Sequence, residues 1–304
     1  MSKAIVQVSN LFKSYGKIKA ADDVSLEVFQ GEIFGLVGPN GAGKTTTIEC
    51  IEGLRKPNSG NIKVLGLDLF SNSNTIRQRI GIQLQESELP GRIKVWEAMD
   101  LFSSFYKKNI DWLPLLESLG IKEKYRSYFN KLSGGQKQKL FISLALVNDP
   151  ELIFLDELTT GLDPQARRTT WGLIRSIRDQ GKTIFLTTHY MEEAERCHQL
   201  AFLAQGDIVA EGTPTTIKES LNDIRLYSVN LAYTPLTMQC LSNIKGIVLI
   251  NQFGDELRIM VKPECNIETI QEILEDELHV KSKLKESALD LEDVFIALTQ
   301  DKAL

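Results

Sequence analysis

The stretch Gly38-Pro39-Asn40-Gly41-Ala42-Gly43-Lys44-Thr45 constrains this chain more than any other. It fits the pattern G-x-x-x-x-G-K-[ST]. Before it stands the apolar run Ile33 to Val37, which reads as a buried strand; after it, Thr46 to Gly53 reads as the opening of a helix. Glycines at these positions let the backbone wrap an anion closely, because no side chain stands in the way. The loop N–H groups and the positive end of the helix dipole then face that anion. Lys44 adds a point charge for the outer phosphates of a nucleoside triphosphate, and the Thr45 hydroxyl is placed to hold Mg²⁺. Pro39, Asn40, Ala42 and Thr46 complete the candidate cradle with the three glycines.

At 304 residues the chain has length for about two domains, and its apolar and charged fractions are those of a globular protein able to bury a sizeable core. The net charge of −5 gives no basic footprint for nucleic acid. No run approaches the ~18 consecutive apolar residues of a membrane span, and Met1 to Gln7 lacks the apolar core of a signal peptide. Work on a membrane therefore requires a partner. Cys50, Cys197, Cys240 and Cys265 are scattered, as expected of free thiols in a reducing cytosol.

Along the chain, residues 4 to 8 and 24 to 29 read as short strands, with Tyr15 at a strand–turn edge between them. An aromatic there either stacks on a nucleobase or fills core. Ile80 to Leu84 reads as a strand ending at Gln85-Glu86. From Val95 to Leu119 the pattern is helical and rich in aromatics, with Pro114 breaking the run. Ser133-Gly134-Gly135-Gln136 opens an apolar-rich helix to about Val147, a second anion-binding loop in physical terms. Leu152 to Leu155 is an apolar run of the kind found in buried parallel strands, and it ends in Asp156-Glu157. Carboxylates at the C-terminal end of such a strand face the ligand crevice, where one holds Mg²⁺ and the other orients water. Successive strand residues face opposite ways, so the two carboxylates are not expected to compete for one metal. Thr183 to Thr188 is another buried strand, with His189 at its end; the histidine is either structural or a sensor of phosphate at the same sheet edge. Met191 to Leu200 reads as helical, and residues 201 to 210 as a strand pair around Gly206-Asp207.

Near residue 220 the character changes. Tyr227, Val229 and Leu231 alternate, as do Leu257, Ile259 and Val261, while helical spacing follows the candidate caps Asn266 and Asp290. The tail reads as a small α+β domain without a catalytic constellation, expected to be regulatory or to assist dimerisation.

Taken together, these stretches resemble the ATP-binding cassette (ABC) ATPases over roughly residues 4 to 218, with six motifs in the family's order and spacing. The resemblance implies an α/β P-loop NTPase fold of ABC type over residues 1–220, with a helical subdomain at about 86–148, followed by the α+β accessory domain at 221–304. It implies that Gln85 lies in the glutamine loop, a ligand to Mg²⁺ beside Thr45 and Asp156. Residues 132 to 136 match the signature sequence, Leu162-Asp163 the dimer-contact loop, His189 the switch histidine, and Tyr15 the adenine-stacking aromatic. Two cassettes, as a homodimer or heterodimer, would hold ATP between one chain's phosphate loop and the other's Ser133–Gln136. Glu157 would polarise the attacking water. Thr159 to Pro164, Thr187 to Ala194 and the ending Leu291 to Thr299 look like the cassettes of drug, antibiotic and polysaccharide exporters, whose membrane permease is a separate chain. Such a subunit is cytoplasmic, peripheral on the inner face of the membrane. Leu158 stands where the family usually has proline, and Lys94 where threonine is common; the first loses a fixed φ, the second unsettles the usual contact with the permease.

Two rivals remain. A non-transport regulator acting on ribosomes or DNA fits poorly: this chain has one cassette, and fewer than about 50 residues separate Gln85 from Leu132, too few for the coiled coil of DNA-repair relatives. An importer cassette would be marked by a partner gene for a binding protein.

Overall fold

In a computed structural model, residues 3–83, 88–108, 110–276, 278 and 283–300 are described. The chain divides into two compact units, residues 1–213 and 214–304.

The first unit opens with two long strands, β1 (Ala4–Tyr15) and β2 (Ile18–Phe29), paired as a hairpin. Then come β3 (Ile33–Val37), α1 (Lys44–Glu52), β4 (Ser59–Val64), β5 (Leu67–Asp68), α2 (Ser73–Arg77) and β6 (Ile80–Gln83). Three helices follow: α3 (Val95–Ser103), α4 (Trp112–Ser118) and α5 (Gly134–Leu146). The unit closes with β7 (Leu152–Asp156), α6 (Pro164–Asp179), β8 (Thr183–Thr188), α7 (Met191–Ala194), β9 (Gln199–Ala204) and β10 (Asp207–Gly212).

A six-stranded sheet in the order β10-β9-β3-β8-β7-β6 forms its centre. All neighbours are parallel except the edge pair β9–β10. β3, β7 and β8 are buried at every position, which is why they read as unbroken apolar runs rather than alternations. Parallel register aligns their C-terminal ends: Val37 lies opposite Thr188, and Asp156 opposite Thr187. The loops that leave these strands therefore emerge along one edge, where open α/β sheets bind ligands. A second, antiparallel sheet, β2-β1-β4-β5, shares the core that α1 makes with the central strands.

Three sequence expectations are corrected here. The helical run from Val95 to Leu119 is two helices, and the break comes at residues 104–111 rather than at Pro114. Pro114 sits in the first turn of α4, behind the cap Asp111, where an N–H has no intrahelical partner to lose. The helix expected from Met191 to Leu200 ends at Ala194, because Gln199 to Phe202 pair in parallel with β3. The leading strands are also longer than expected and meet at Tyr15–Ile18.

The second unit contains α8 (Pro214–Glu219), β11 (Arg225–Asn230), α9 (Pro235–Leu241), β12 (Ile247–Phe253), β13 (Glu256–Val261), α10 (Ile267–Asp276), β14 (Lys285–Ser287) and α11 (Leu291–Gln300). Its antiparallel sheet has the order β12-β13-β11-β14, a doubled split β-α-β arrangement. Tyr227, Val229, Leu257 and Ile259 face α9 and α10, represented by Leu241, Ile270 and Leu274. Leu226, Leu249 and Met260 face the other way, against Ile296 and Ala297 of α11. Arg258 fastens the start of α11, its Nη1 donating to Asp290 Oδ2 at 2.6 Å and Asp293 Oδ2 at 2.9 Å.

Candidate functional site

The phosphate loop is held by its neighbours before any ligand is considered. A Cβ on Gly38 would stand 2.2 Å from the Leu203 carbonyl oxygen. Gly43 has φ +103, and a Cβ there would stand 1.9 Å from the Ala20 carbonyl oxygen. Both positions therefore require glycine, one for close approach and the other for approach and backbone conformation together. The Gly38 N–H donates to the Thr188 carbonyl at 3.2 Å, and the Gly206 N–H to the Ala42 carbonyl at 2.9 Å. The loop is thus seated between the ends of β8 and β9.

Lys44 begins α1 and is buried, its Nζ donating to the carbonyls of Gly38 (2.8 Å) and Pro39 (3.1 Å). The same Nζ lies 3.2 Å from Glu157 Oε1, and His189 Nδ1 lies 3.5 Å from that oxygen. Lys44 and His189, which follow β3 and β8, therefore meet at the carboxylate of Glu157, which follows β7. Asp156 ends β7 and receives a hydrogen bond from the Thr187 hydroxyl, while the Thr45 hydroxyl also bonds it. Burial pushes the Asp156 carboxyl above its ordinary value, with the Glu157 charge acting in the same sense; the two hydroxyls and Lys44 act against it.

The divergence of Asp156 and Glu157 does not come from strand alternation. β7 stops at Asp156, and Glu157 takes φ +45, a left-handed conformation uncommon for a residue with a side chain. Its backbone N–H donates to Thr187 Oγ1 at 3.0 Å. This turn aims the carboxylate at Lys44 and His189 while Asp156 stays with Thr187. Thr187, which the sequence places in a buried strand and in the exporter-like stretch Thr187 to Ala194 without a role at the site, serves both carboxylate residues. The sequence clue to it is its place two residues before His189.

Beside the loop lies a cavity of about 350 Å³ lined by Tyr15, Ile18, Lys19, Ala20, Asn40, Gly41, Gly43, Lys44, Thr45, Thr46 and Glu157. Tyr15 is 42% exposed at the hairpin end, with Lys13 and Arg55 on its ring at 5.4 and 5.5 Å. Its open face and cationic surround suit a nucleobase joined to phosphates. Ser133 to Gln136 do not line this cavity. They form a capping box at the start of α5: the Ser133 N–H donates to Gln136 Oε1 at 3.0 Å, and the Gln136 N–H to Ser133 Oγ at 3.3 Å. Gln85 lies outside the described residues; β6 ends at Gln83 on the same sheet edge. The residues present fit a nucleotide and a divalent cation: a loop closed to a Cβ at Gly38 and Gly43, a buried lysine, and a hydroxyl and a carboxyl already joined.

A parallel sheet with this loop, these carboxylates and a terminal histidine along one edge defines a nucleotide-binding P-loop ATPase. The family model described as ABC transporter matches residues 21–160. Nod factor export ATP-binding protein I of Paraburkholderia xenovorans (strain LB400) is 35% identical over 98% of both chains. The probable multidrug ABC transporter ATP-binding protein YbhF of Escherichia coli (strain K12) is 38% identical over 73% of this chain and 39% of its own length. Among solved structures, the ATP-binding subunit of an ABC transporter matches with TM-score 0.65 and 30% identity, over 72% of this chain and 93% of that one. A dimeric bacterial ABC transporter cassette matches with TM-score 0.62 and 26% identity, over 68% of this chain and 98% of that one. The chain belongs to the ABC transporter ATP-binding family and is an ATPase subunit of that family. Among the described residues no helix is long and apolar enough to cross a membrane.

Proposed function

We propose that this chain hydrolyses ATP to power export through a separate membrane permease, acting as a pair of cassettes on the cytoplasmic face of the membrane. The observation that carries the reading is the meeting of Lys44, Glu157 and His189 at one buried carboxylate beside the glycine loop. Tyr15 stacks the base, and the loop from Gly38 to Thr46 wraps the phosphates. Lys44 exchanges its carboxylate partner for the outer phosphates. Glu157 accepts a proton from the attacking water, and His189 steadies charge on the terminal phosphate. Thr45, Asp156 and Gln85 would hold Mg²⁺, which neutralises charge shared between the outer phosphates.

Two features support pairing. The signature residues Ser133–Gln136 stand outside the cavity of their own chain, and a structural relative is a dimeric cassette. Asp163, in the dimer-contact loop, caps α6 by accepting from the Ala166 N–H at 2.8 Å, with Pro164 at the first helical position. For the permease, an apolar groove of about 790 Å³ runs between α2, β6 and α3, lined by Leu54, Ile80, Ile82, Phe102, Phe105 and Tyr106 among others. Phe105 is 61% exposed in it, an apolar surface that a coupling segment of the permease would cover. Export is favoured by the names of the relatives, which concern export and multidrug transport. Residues 214–304, with cores of their own, act as a regulatory or dimer-assisting unit.

The test is Lys44→Ala in the purified chain. It should abolish hydrolysis and weaken binding of a fluorescent ATP analogue at least about tenfold, the loss of one charge-assisted contact of 1.5–3 kcal/mol. Because Lys44 is buried against the Glu157 carboxylate rather than exposed, its removal should also lower the melting temperature, so binding and hydrolysis are compared at a temperature where circular dichroism shows the variant folded. Hydrolysis at the native rate would remove the phosphate-loop reading.

A further inference from the structure

Glu193 lies on α7, four residues past His189, and is almost fully buried. No step proposed above uses it. Its carboxylate accepts hydrogen bonds from two hydroxyls, Thr159 in the turn after β7 and, at 2.7 Å, Thr188 at the end of β8. Thr159 stands two residues after Glu157, and Thr188 immediately before His189. Arg167 of α6 adds its Nε 3.9 Å from Glu193 Oε1, with its guanidinium carbon 4.0 Å from the centre of the Tyr190 ring.

The two hydroxyls pass the restraint onward. Thr188 Oγ1, while donating to Glu193, accepts the Tyr190 N–H at 3.0 Å and so fixes the backbone on both sides of His189. Thr159 anchors the turn whose next residue, Thr160, donates from Oγ1 to Glu157 Oε2 at 3.3 Å. The Thr160 N–H also bonds the Glu157 carbonyl at 3.1 Å, closing that turn on itself. One buried carboxylate thus ties the exit of β7 to the exit of β8. Burying a carboxylate is costly unless it is well bonded, and a packing role alone would be served by an apolar side chain of similar size.

We propose that Glu193 is a positioning residue that sets the register between Glu157 and His189. The assignment rests on the hydrolysis reading above. Hydrolysis needs both groups at one phosphate, and a misplacement of about 1 Å in such a site costs about 100-fold.

The experiment uses the full chain with saturating Mg-ATP. Glu193→Ala should lower kcat about 100-fold while KM and the affinity for a fluorescent ATP analogue stay within about twofold, since the phosphate loop is untouched. Glu193→Gln should restore kcat to within about threefold of native, because its amide still bonds both hydroxyls. Hydrogen exchange over residues 158–163, measured without nucleotide, should quicken in the Ala variant and return to native in the Gln variant. Thr159→Val and Thr188→Val act through one carboxylate, so the double variant should be no slower than about twofold below the worse single one. If Glu193→Ala fails to fold, the Gln variant and the threonine pair decide. A native kcat in Glu193→Ala, no recovery with Gln, or losses that multiply in the threonine pair would each overturn the positioning role. Glu157→Gln, run alongside, separates the two claims: a native rate there overturns the hydrolysis reading itself.

Discussion

Replacing Glu157 by Gln isolates the chemical step from the binding that precedes it. The substitution keeps size and backbone demands the same, which matters because the residue sits at φ +45, where any change of shape would act through strain. The Glu157 N–H still donates to Thr187, and the side-chain oxygen still accepts from Thr160. What disappears is the negative charge 3.2 Å from Lys44 Nζ and 3.5 Å from His189 Nδ1. General-base help is worth about 10²–10⁴-fold, or about 2.7–5.4 kcal/mol of barrier at 1.36 kcal/mol per decade. The second consequence runs the other way. In the native chain the Glu157 carboxylate competes with phosphate for Lys44; without it, the Gly38 and Pro39 carbonyls still hold Lys44, with the Asp156 charge nearby. Nucleotide affinity should therefore hold or tighten while turnover collapses. Steady-state phosphate release, titration with a fluorescent ATP analogue and light scattering with Mg-ATP measure the three quantities. The expected result is turnover down at least 100-fold, affinity no weaker than native, and ATP-dependent accumulation of a dimer. Turnover within about twofold of native would refute the assignment. Loss of affinity in step with turnover would instead mean that the carboxylate shapes the loop rather than activating water.

Gly43→Ala should weaken nucleotide binding at least about tenfold, because its Cβ meets the Ala20 backbone and its φ of +103 opposes a side chain at a cost of about 1–3 kcal/mol; Gly172→Ala in α6, where nothing stands within 4 Å, should leave binding unchanged. Glu52 is buried with neither carboxylate oxygen hydrogen-bonded among the described residues, and burial first, then Asp156 and Glu49, raises it well above the carboxylate value of 4.5. A raised acid is most favourable to folding below its unfolded value and loses that contribution as pH climbs toward its folded one. Glu52→Met should therefore stabilise the chain by about 1–3 kcal/mol at pH 8 and by less at pH 5, read by thermal denaturation at both; an equal gain at both would show that charge is not the cause. Phe105→Glu should abolish co-purification with the membrane subunit while ATP-analogue affinity stays within about twofold, and persistent co-purification would place the docking surface elsewhere.

What the sequence by itself determined is local. Strand, loop and helix from Ile33 to Glu52 are contiguous, so glycine geometry and the Lys44 charge were legible without knowing any neighbour. The same holds for β7 and β8, whose unbroken apolar runs signal burial on both faces. Caps such as Asn266, which accepts from the Glu268 N–H, and Asp290, which accepts from the Asp293 N–H, were legible because a cap reaches only two or three residues. Everything that crosses between strands was decided by tertiary structure. Helical spacing after Met191 yielded to parallel pairing of Gln199–Phe202 with β3, since ladder bonds and burial outweigh a weak local preference. Asp156 and Glu157 diverge because the chain leaves the strand and turns left-handed, a choice held by Thr187 from the next strand. Glu193 gives no sequence signal that separates it from its acidic neighbours Glu192 and Glu195. Only the register of β7 beside β8 brings Thr159 and Thr188 to one carboxylate, because the residues that meet there are 34 and 5 positions from Glu193, distances that no local rule of helix or strand can join.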